Sequence, residues 1–83
     1  MKVTIKYFAS IREAIGQGSE VRDTSATTMS ALRDELLLVS PAHAQALARG
    51  RSIRMAFNQV MSDESAVLKD GCEVAFFPPV TGG

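Results

Sequence analysis

Apolar and polar residues alternate from Lys2 to Phe8, with Val3, Ile5 and Tyr7 on one side and Lys2, Thr4, Lys6 and Phe8 on the other. A period of two predicts a strand with one buried face. Ser10-Ile11-Arg12-Glu13 has the spacing of a capping box, the serine oxygen accepting an orphan N–H and the glutamate reaching back to the cap. It predicts a short amphipathic helix through Ile11, Ala14 and Ile15, with Gly16 as a left-handed stop. Ser19 to Asp23 is expected to form a second strand, carried by one apolar residue, Val21. Thr27 or Thr28 can cap the principal helix, in which Met29, Leu32, Leu36 and Val39 recur at helical spacing and mark the core face. Pro41 is expected to end that helix, and Ala42 to Arg49 to form a second short one closed by Gly50.

Alternation returns at Ile53, Met55 and Phe57 against Arg54 and Ala56, and Asn58-Gln59 offers a tight turn into Val60-Met61. Lys69-Asp70-Gly71 is a further turn. Glu73 to Phe77 makes a last strand, Val74 and Phe76 on one face, Ala75 and Phe77 on the other. The order of elements predicts an α+β fold, a β-grasp or ubiquitin-like roll with a mixed sheet and one main helix on one face. Residues 1–77 are expected to be the folded domain and 78–83 an extended tail.

Composition narrows the function. A chain of 83 residues, 46% hydrophobic and 22% charged, is one domain. A domain of this size buries only roughly 60 to 65% of its unfolded surface, which favours work in a complex. Nine basic and nine acidic residues cancel, and the one concentration of arginines, Arg49, Arg51 and Arg54, reads as a solvated loop and strand edge, so nucleic acid is not an expected partner. The single cysteine and the lack of a charged-then-apolar opening point to the cytoplasm. The longest apolar run, Leu36 to Val39, falls far short of the roughly 20 residues that span a bilayer, so no membrane role is expected. His43 has no neighbours at metal-ligand spacing and reads as a surface residue, and no metal or bound cofactor is expected. Cys72 reads as a packing residue rather than a persulfide relay, and Gly16-Gln17-Gly18 does not join a strand to a long helix as a dinucleotide loop must. No nucleophile-and-base arrangement is discernible.

The end of the chain carries the chemistry. Pro78 and Pro79 favour polyproline II and remove two backbone donors. At about 3.3 Å per residue, Pro78 to Gly83 can reach on the order of 20 Å into a neighbour's site. Val80 and Thr81 suit an extended, groove-bound segment. Gly82-Gly83, without Cβ atoms, can pass a narrow channel and leaves the terminal carbonyl carbon open to attack. Terminal glycines are commonly mere frayed ends, but a strand followed by a proline neck gives these a rigid base.

The segment Ala75-Phe76-Phe77-Pro78-Pro79-Val80-Thr81-Gly82-Gly83, preceded by Asp70-Gly71-Cys72-Glu73-Val74, resembles the small sulfur-carrying subunits of molybdopterin synthase, the MoaD-type carriers of the MoaD/ThiS family. The likeness extends to Phe8-Ala9, Ile11-Arg12-Glu13, Ala31-Leu32-Arg33 and Ala56-Phe57-Asn58-Gln59, and is least marked from Ser40 to Arg51. It implies that Gly83 is adenylated by a ubiquitin-activating-type enzyme that consumes ATP, then converted to a thiocarboxylate with a sulfurtransferase as sulfur source. It further implies that the tail enters the large catalytic subunit, with Gly82, Thr81 and Val80 in its channel, and gives sulfur to precursor Z (cyclic pyranopterin monophosphate). Successive transfers there build the molybdopterin dithiolene. On this reading the chain is no enzyme by itself, and the assembly is a heterotetramer of small and large subunits. Related carriers for thiamine, cysteine or tRNA thiolation, and ubiquitin-like protein modifiers, share the diglycine end.

Strand parity places Phe8, Ala56, Met61, Ala75 and Phe77 on the sheet face away from the main helix. An apolar patch there would be a docking surface. The resemblance places the residues matching Met61 and Phe77 at the subunit interface.

Overall fold

The computed structural model describes residues 1–79. Strands β1 (Lys2–Tyr7), β2 (Ser19–Asp23), β3 (Arg54–Phe57), β4 (Val60–Ser62) and β5 (Glu73–Phe77) form one sheet in the order β2-β1-β5-β3-β4. Three helices, α1 (Ala9–Ile15), α2 (Met29–Leu36) and α3 (Pro41–Ala46), lie between β1 and β3 in the chain. The sheet is mixed: β1 runs parallel to β5 and antiparallel to β2, while β3 is antiparallel to both β4 and β5. The expected β-grasp roll is present, with β5 near its centre and the chain leaving β5 at Phe77.

The core follows the alternation. Val3, Ile5 and Tyr7 of β1 and Val74 and Phe76 of β5 pack with Met29, Leu32 and Leu36 of α2. Fully burying a side chain such as Phe76 contributes about 1.5 to 3 kcal/mol. Thr28 caps α2, its side chain accepting the Ala31 N–H at 3.1 Å. Cys72 is buried in the same cluster, as a packing residue would be. Asn58 and Gln59 both have positive φ (48° and 69°), the backbone of a primed hairpin turn whose twist suits the flanking strands.

Three local expectations, the start of α1 and the ends of α2 and α3, are corrected. Helix α1 begins earlier than a capping box at Ser10 requires. Phe8 holds the N-cap position without a side-chain cap, and its carbonyl accepts from Ile11 and Arg12. The reason lies in the sheet: the Phe8 N–H donates to Phe76 O at 3.1 Å, keeping the chain extended to that point, and it turns at Ala9 with φ 51°. With that phase Ile11 faces the core and Ala14 faces solvent.

Helix α2 stops at Leu36, not near Pro41. Its end tightens through i to i−3 bonds from Leu38 to Glu35 and from Val39 to Leu36, which turns Val39 outward. Ser40, extended as a residue before proline tends to be, caps α3, with Pro41 in the first turn. Helix α3 ends at Ala46, because Arg33 claims the carbonyls that follow it.

In β2 the inward positions belong to Glu20 and Arg22, and Val21 is exposed. The reason is polar partnering: Glu20 meets Tyr7 and His43, and Arg22 pairs with Glu35.

Candidate functional site

The site builds outward from β5. Because Val74 and Phe76 are fully buried, Ala75 and Phe77 must face the other way. Register extends that face across the sheet: Ala56 lies opposite both Ala75 and Met61, Lys6 opposite Ala75, and Arg54 opposite Phe77. Phe8, one residue beyond the Tyr7–Phe76 pair, meets Phe77 edge to face with ring centroids 6.0 Å apart. Such a pair contributes about 0.5 to 1.5 kcal/mol beyond its buried area.

The expected docking residues therefore share one face but play different parts. Phe8 is 46% exposed and Met61 55%, while Phe77 is half-buried. Ala56 and Ala75 are only 6% and 7% exposed. They are the floor of the patch, with Phe8, Phe77 and Met61 as its standing walls. Lys6 pairs with Glu73 at 3.4 Å on the same face, so part of the local charge is already matched within the chain. Pro78 and Pro79 continue from this patch, bordering a shallow groove with Ile11, Ala46 and Ile53. Val80, Thr81, Gly82 and Gly83, the expected tail and its reactive end, lie outside the described residues.

Beneath the patch Tyr7 anchors the point at which the chain leaves the sheet. Its hydroxyl donates to Glu20 Oε2 at 3.2 Å, and burial, with the Glu20 charge adding to it, pushes the phenol pKa well up. The same carboxylate oxygen accepts from Gln17 Nε2 at 2.8 Å and lies 3.1 Å from His43 Nε2. His43 Nδ1 lies 2.8 Å from Ser40 Oγ, and the ring meets Tyr7 edge to face. Ser40 Oγ also accepts the His43 backbone N–H at 3.1 Å, so the cap holds both the backbone and the ring of His43. His43, expected on the surface, is 5% exposed. An alanine-rich helix has no apolar stripe to show which side faces inward; the available signal was its position three residues after a Ser-Pro cap.

Arg33 was also missed as a buried residue. It falls on the inner side of α2 beside Leu32 and Leu36. Its Nε donates to Leu47 O at 2.8 Å and its Nη2 to Ala48 O at 2.6 Å and Arg51 O at 3.2 Å. Burial, then the Arg49 charge, lowers its pKa from the usual arginine value, with Asp34 opposing. Arg49 is less simply solvated than expected: it pairs with Asp34 and Glu64 and donates to Ser30. Arg51 and Arg54 are exposed, as expected.

Among the described residues no group of three His, Cys, Asp or Glu side chains could hold a metal ion, and no helix is long and apolar enough to cross a membrane.

A family model described as "ThiS family" matches residues 5–83. The chain is 38% identical over 81 residues to the molybdopterin synthase sulfur carrier subunit of Escherichia coli, covering 98% of this chain and 99% of that one. The fold superimposes on a crystal structure of SAMP1, small archaeal modifier protein 1, from Haloferax volcanii with a TM-score of 0.77 at 27% identity and full coverage of both chains. It also matches a structure of the complex of subunits 1 and 2 of the molybdopterin-converting factor from Helicobacter pylori, with a TM-score of 0.69 at 25% identity and full coverage of both chains.

Proposed function

The chain belongs to the ThiS family, and from that premise we propose that it is the sulfur-carrier subunit of a molybdopterin synthase. The observation that carries this reading is its end-to-end similarity to chains named for that role. The geometry supports it: a buried central strand delivers Phe77 and the proline neck beside an exposed aromatic patch.

The proposed chemistry lies at Gly83. A carboxylate is a poor electrophile, so an adenylating enzyme first lets the Gly83 carboxylate attack the α-phosphate of ATP, releasing pyrophosphate and forming an acyl-adenylate. A persulfide on a sulfurtransferase then attacks the carbonyl carbon and AMP leaves, giving an acyl disulfide; a thiol of the donor system attacks the donor-side sulfur, so that a disulfide forms there and the thiocarboxylate is released. The carrier docks on the large subunit through Phe8, Met61 and Phe77, threading Val80, Thr81 and Gly82 towards the pterin precursor. Enclosure protects the thiocarboxylate from water. The small chain supplies no catalytic side chain; delivery is its task.

The likeness to SAMP1 favours a second reading, a protein modifier joined to lysines. Incubation with ATP, the adenylating enzyme and a sulfur donor, followed by intact-mass spectrometry, separates the two. Replacement of one terminal oxygen by sulfur, and sulfur loss on addition of the large subunit and precursor, is the expected result. Lysine conjugates with no thiocarboxylate would overturn the carrier reading.

A further inference from the structure

The segment 47–53 is fastened from beneath by a single side chain, the Arg33 guanidinium bound to the carbonyls of Leu47, Ala48 and Arg51. Its outer residues are thereby presented at a set position. Arg51, Ser52 and Ile53 form a wall between two grooves. One is the shallow groove of the proline neck. The other, of about 380 Å³, opens at the unjoined end of the β3–β4 hairpin and is bordered by Arg54, Met61 and Ser62.

The charges around this second groove are unequally committed. Glu64 is taken by Arg33 and Arg49. Asp63 accepts from the Ser65 N–H and hydroxyl, and those two bonds lower its pKa. Arg51 and Arg54, by contrast, are exposed, and neither guanidinium makes a hydrogen bond or ion pair among the described residues. Arg54 sits opposite Phe77 on the docking face, and Arg51 stands beside Pro78 and Pro79. The groove is thus continuous with the aromatic patch and adjoins the neck of the tail.

We propose that this groove is the electrostatic half of the docking surface, and that Arg51 and Arg54 receive carboxylates from an acidic segment of the large subunit that takes up the tail. The inference rests on the proposed carrier role for the partner's identity. A guanidinium matches a carboxylate as a two-pronged donor. A protein segment fits better than a nucleic acid because the chain has no net charge and the groove sets the carboxylates of Asp63 and Glu64 and the apolar Ile53 and Met61 beside its arginines, a mixed lining that would repel a run of phosphates. Charge at this place would orient the carrier before the aromatic patch closes.

The test is titration calorimetry of the full-length carrier against the large subunit at low and high ionic strength. The Arg51→Glu/Arg54→Glu variant should bind about tenfold more weakly at low salt, and the difference should shrink as salt screens it. Lysine at both positions should restore most of the affinity. Unchanged binding of the glutamate variant at low salt overturns the proposal, as does weakening confined to the adenylating enzyme. Phe77→Asp tests the underlying reading separately. If that variant binds normally, the docking face is misassigned; if it fails while the glutamate variant binds normally, the docking face stands and the groove has no part in it.

Discussion

Arg33 shows how one buried cation organises a stretch of chain with no regular structure of its own. Three carbonyls of residues 47, 48 and 51 depend on it. Replacing it by methionine keeps much of the packing but leaves those acceptors short of donors, so Arg33→Met should destabilise the fold by about 3 kcal/mol. Arg33→Lys, with one compact head in place of a fork, should fall between the two. Urea unfolding of the three proteins checks the order. Glu35 makes a pH-dependent contribution. Burial pushes its carboxyl up, but hydrogen bonds from Arg22 and Thr24, together with the Arg22 charge, outweigh that and hold its pKa below the usual carboxylate range. A depressed folded-state pKa stabilises the protein above the unfolded value, about 4.3, and the gain is lost as pH falls through the folded value. Glu35→Gln should therefore be less stable at neutral pH, its deficit narrowing on acidification below about pH 4.3. Equal deficits at pH 7 and in strong acid would rule out this linkage.

At the level of elements, the hairpin from β3 to β4 invites the most direct test. Gln59 has φ 69° and no glycine's freedom to hold it, while Asn58 is needed, since its Oδ1 accepts the Glu73 N–H at 2.8 Å. Gln59→Gly should stabilise the protein by about 1 kcal/mol, relieved strain exceeding the added backbone entropy. A lower melting temperature by calorimetry would show that the Gln59 side chain contributes more than its strain costs. This turn was legible in the sequence because Asn58 sits between two alternating runs. The strands β1, β3 and β5 and the inner face of α2 up to Leu36 were legible for the same reason: apolar burial leaves a period. What stayed hidden was set by polar partners. The inward sides of β2 and α3 are occupied by Glu20, Arg22 and His43, whose burial depends on meeting one another and on residues distant in the chain. The start of α1 was misplaced because the bond from Phe8 to Phe76 belongs to the sheet and leaves no trace near Ser10. Strand parity brought Phe8, Met61 and Phe77 onto one face, but could not tell standing walls from floor. That difference arises because Ala56 and Ala75 are short and lie opposite one another in the register, between the longer Met61 on one side and Lys6 on the other.

For the molecule as a whole, the proposed function puts docking and chemistry on separate parts of one chain. The domain presents its patch on the sheet face opposite α2, and the proposed reactive carboxyl lies at the far side of a proline neck. On the proposed function, contacts of the folded domain, through the aromatic patch and the arginine groove, set the affinity, and a group that only reacts need contribute little to it. Removal of Gly83 should therefore leave binding to the large subunit within about threefold of the full chain, less than 1 kcal/mol, while abolishing thiocarboxylate formation and sulfur transfer. Phe77→Asp should do the reverse: the tip can still be adenylated if the activating enzyme grips it elsewhere, but a carboxylate set against Phe8 in an apolar interface should weaken docking by at least about a hundredfold, as loss of a central aromatic anchor does. Measuring binding by calorimetry and sulfur loading by intact mass on both variants places them at opposite corners of one comparison. If deleting Gly83 abolishes binding as completely as Phe77→Asp does, the tip is itself an anchor, and affinity cannot be assigned to the folded domain alone.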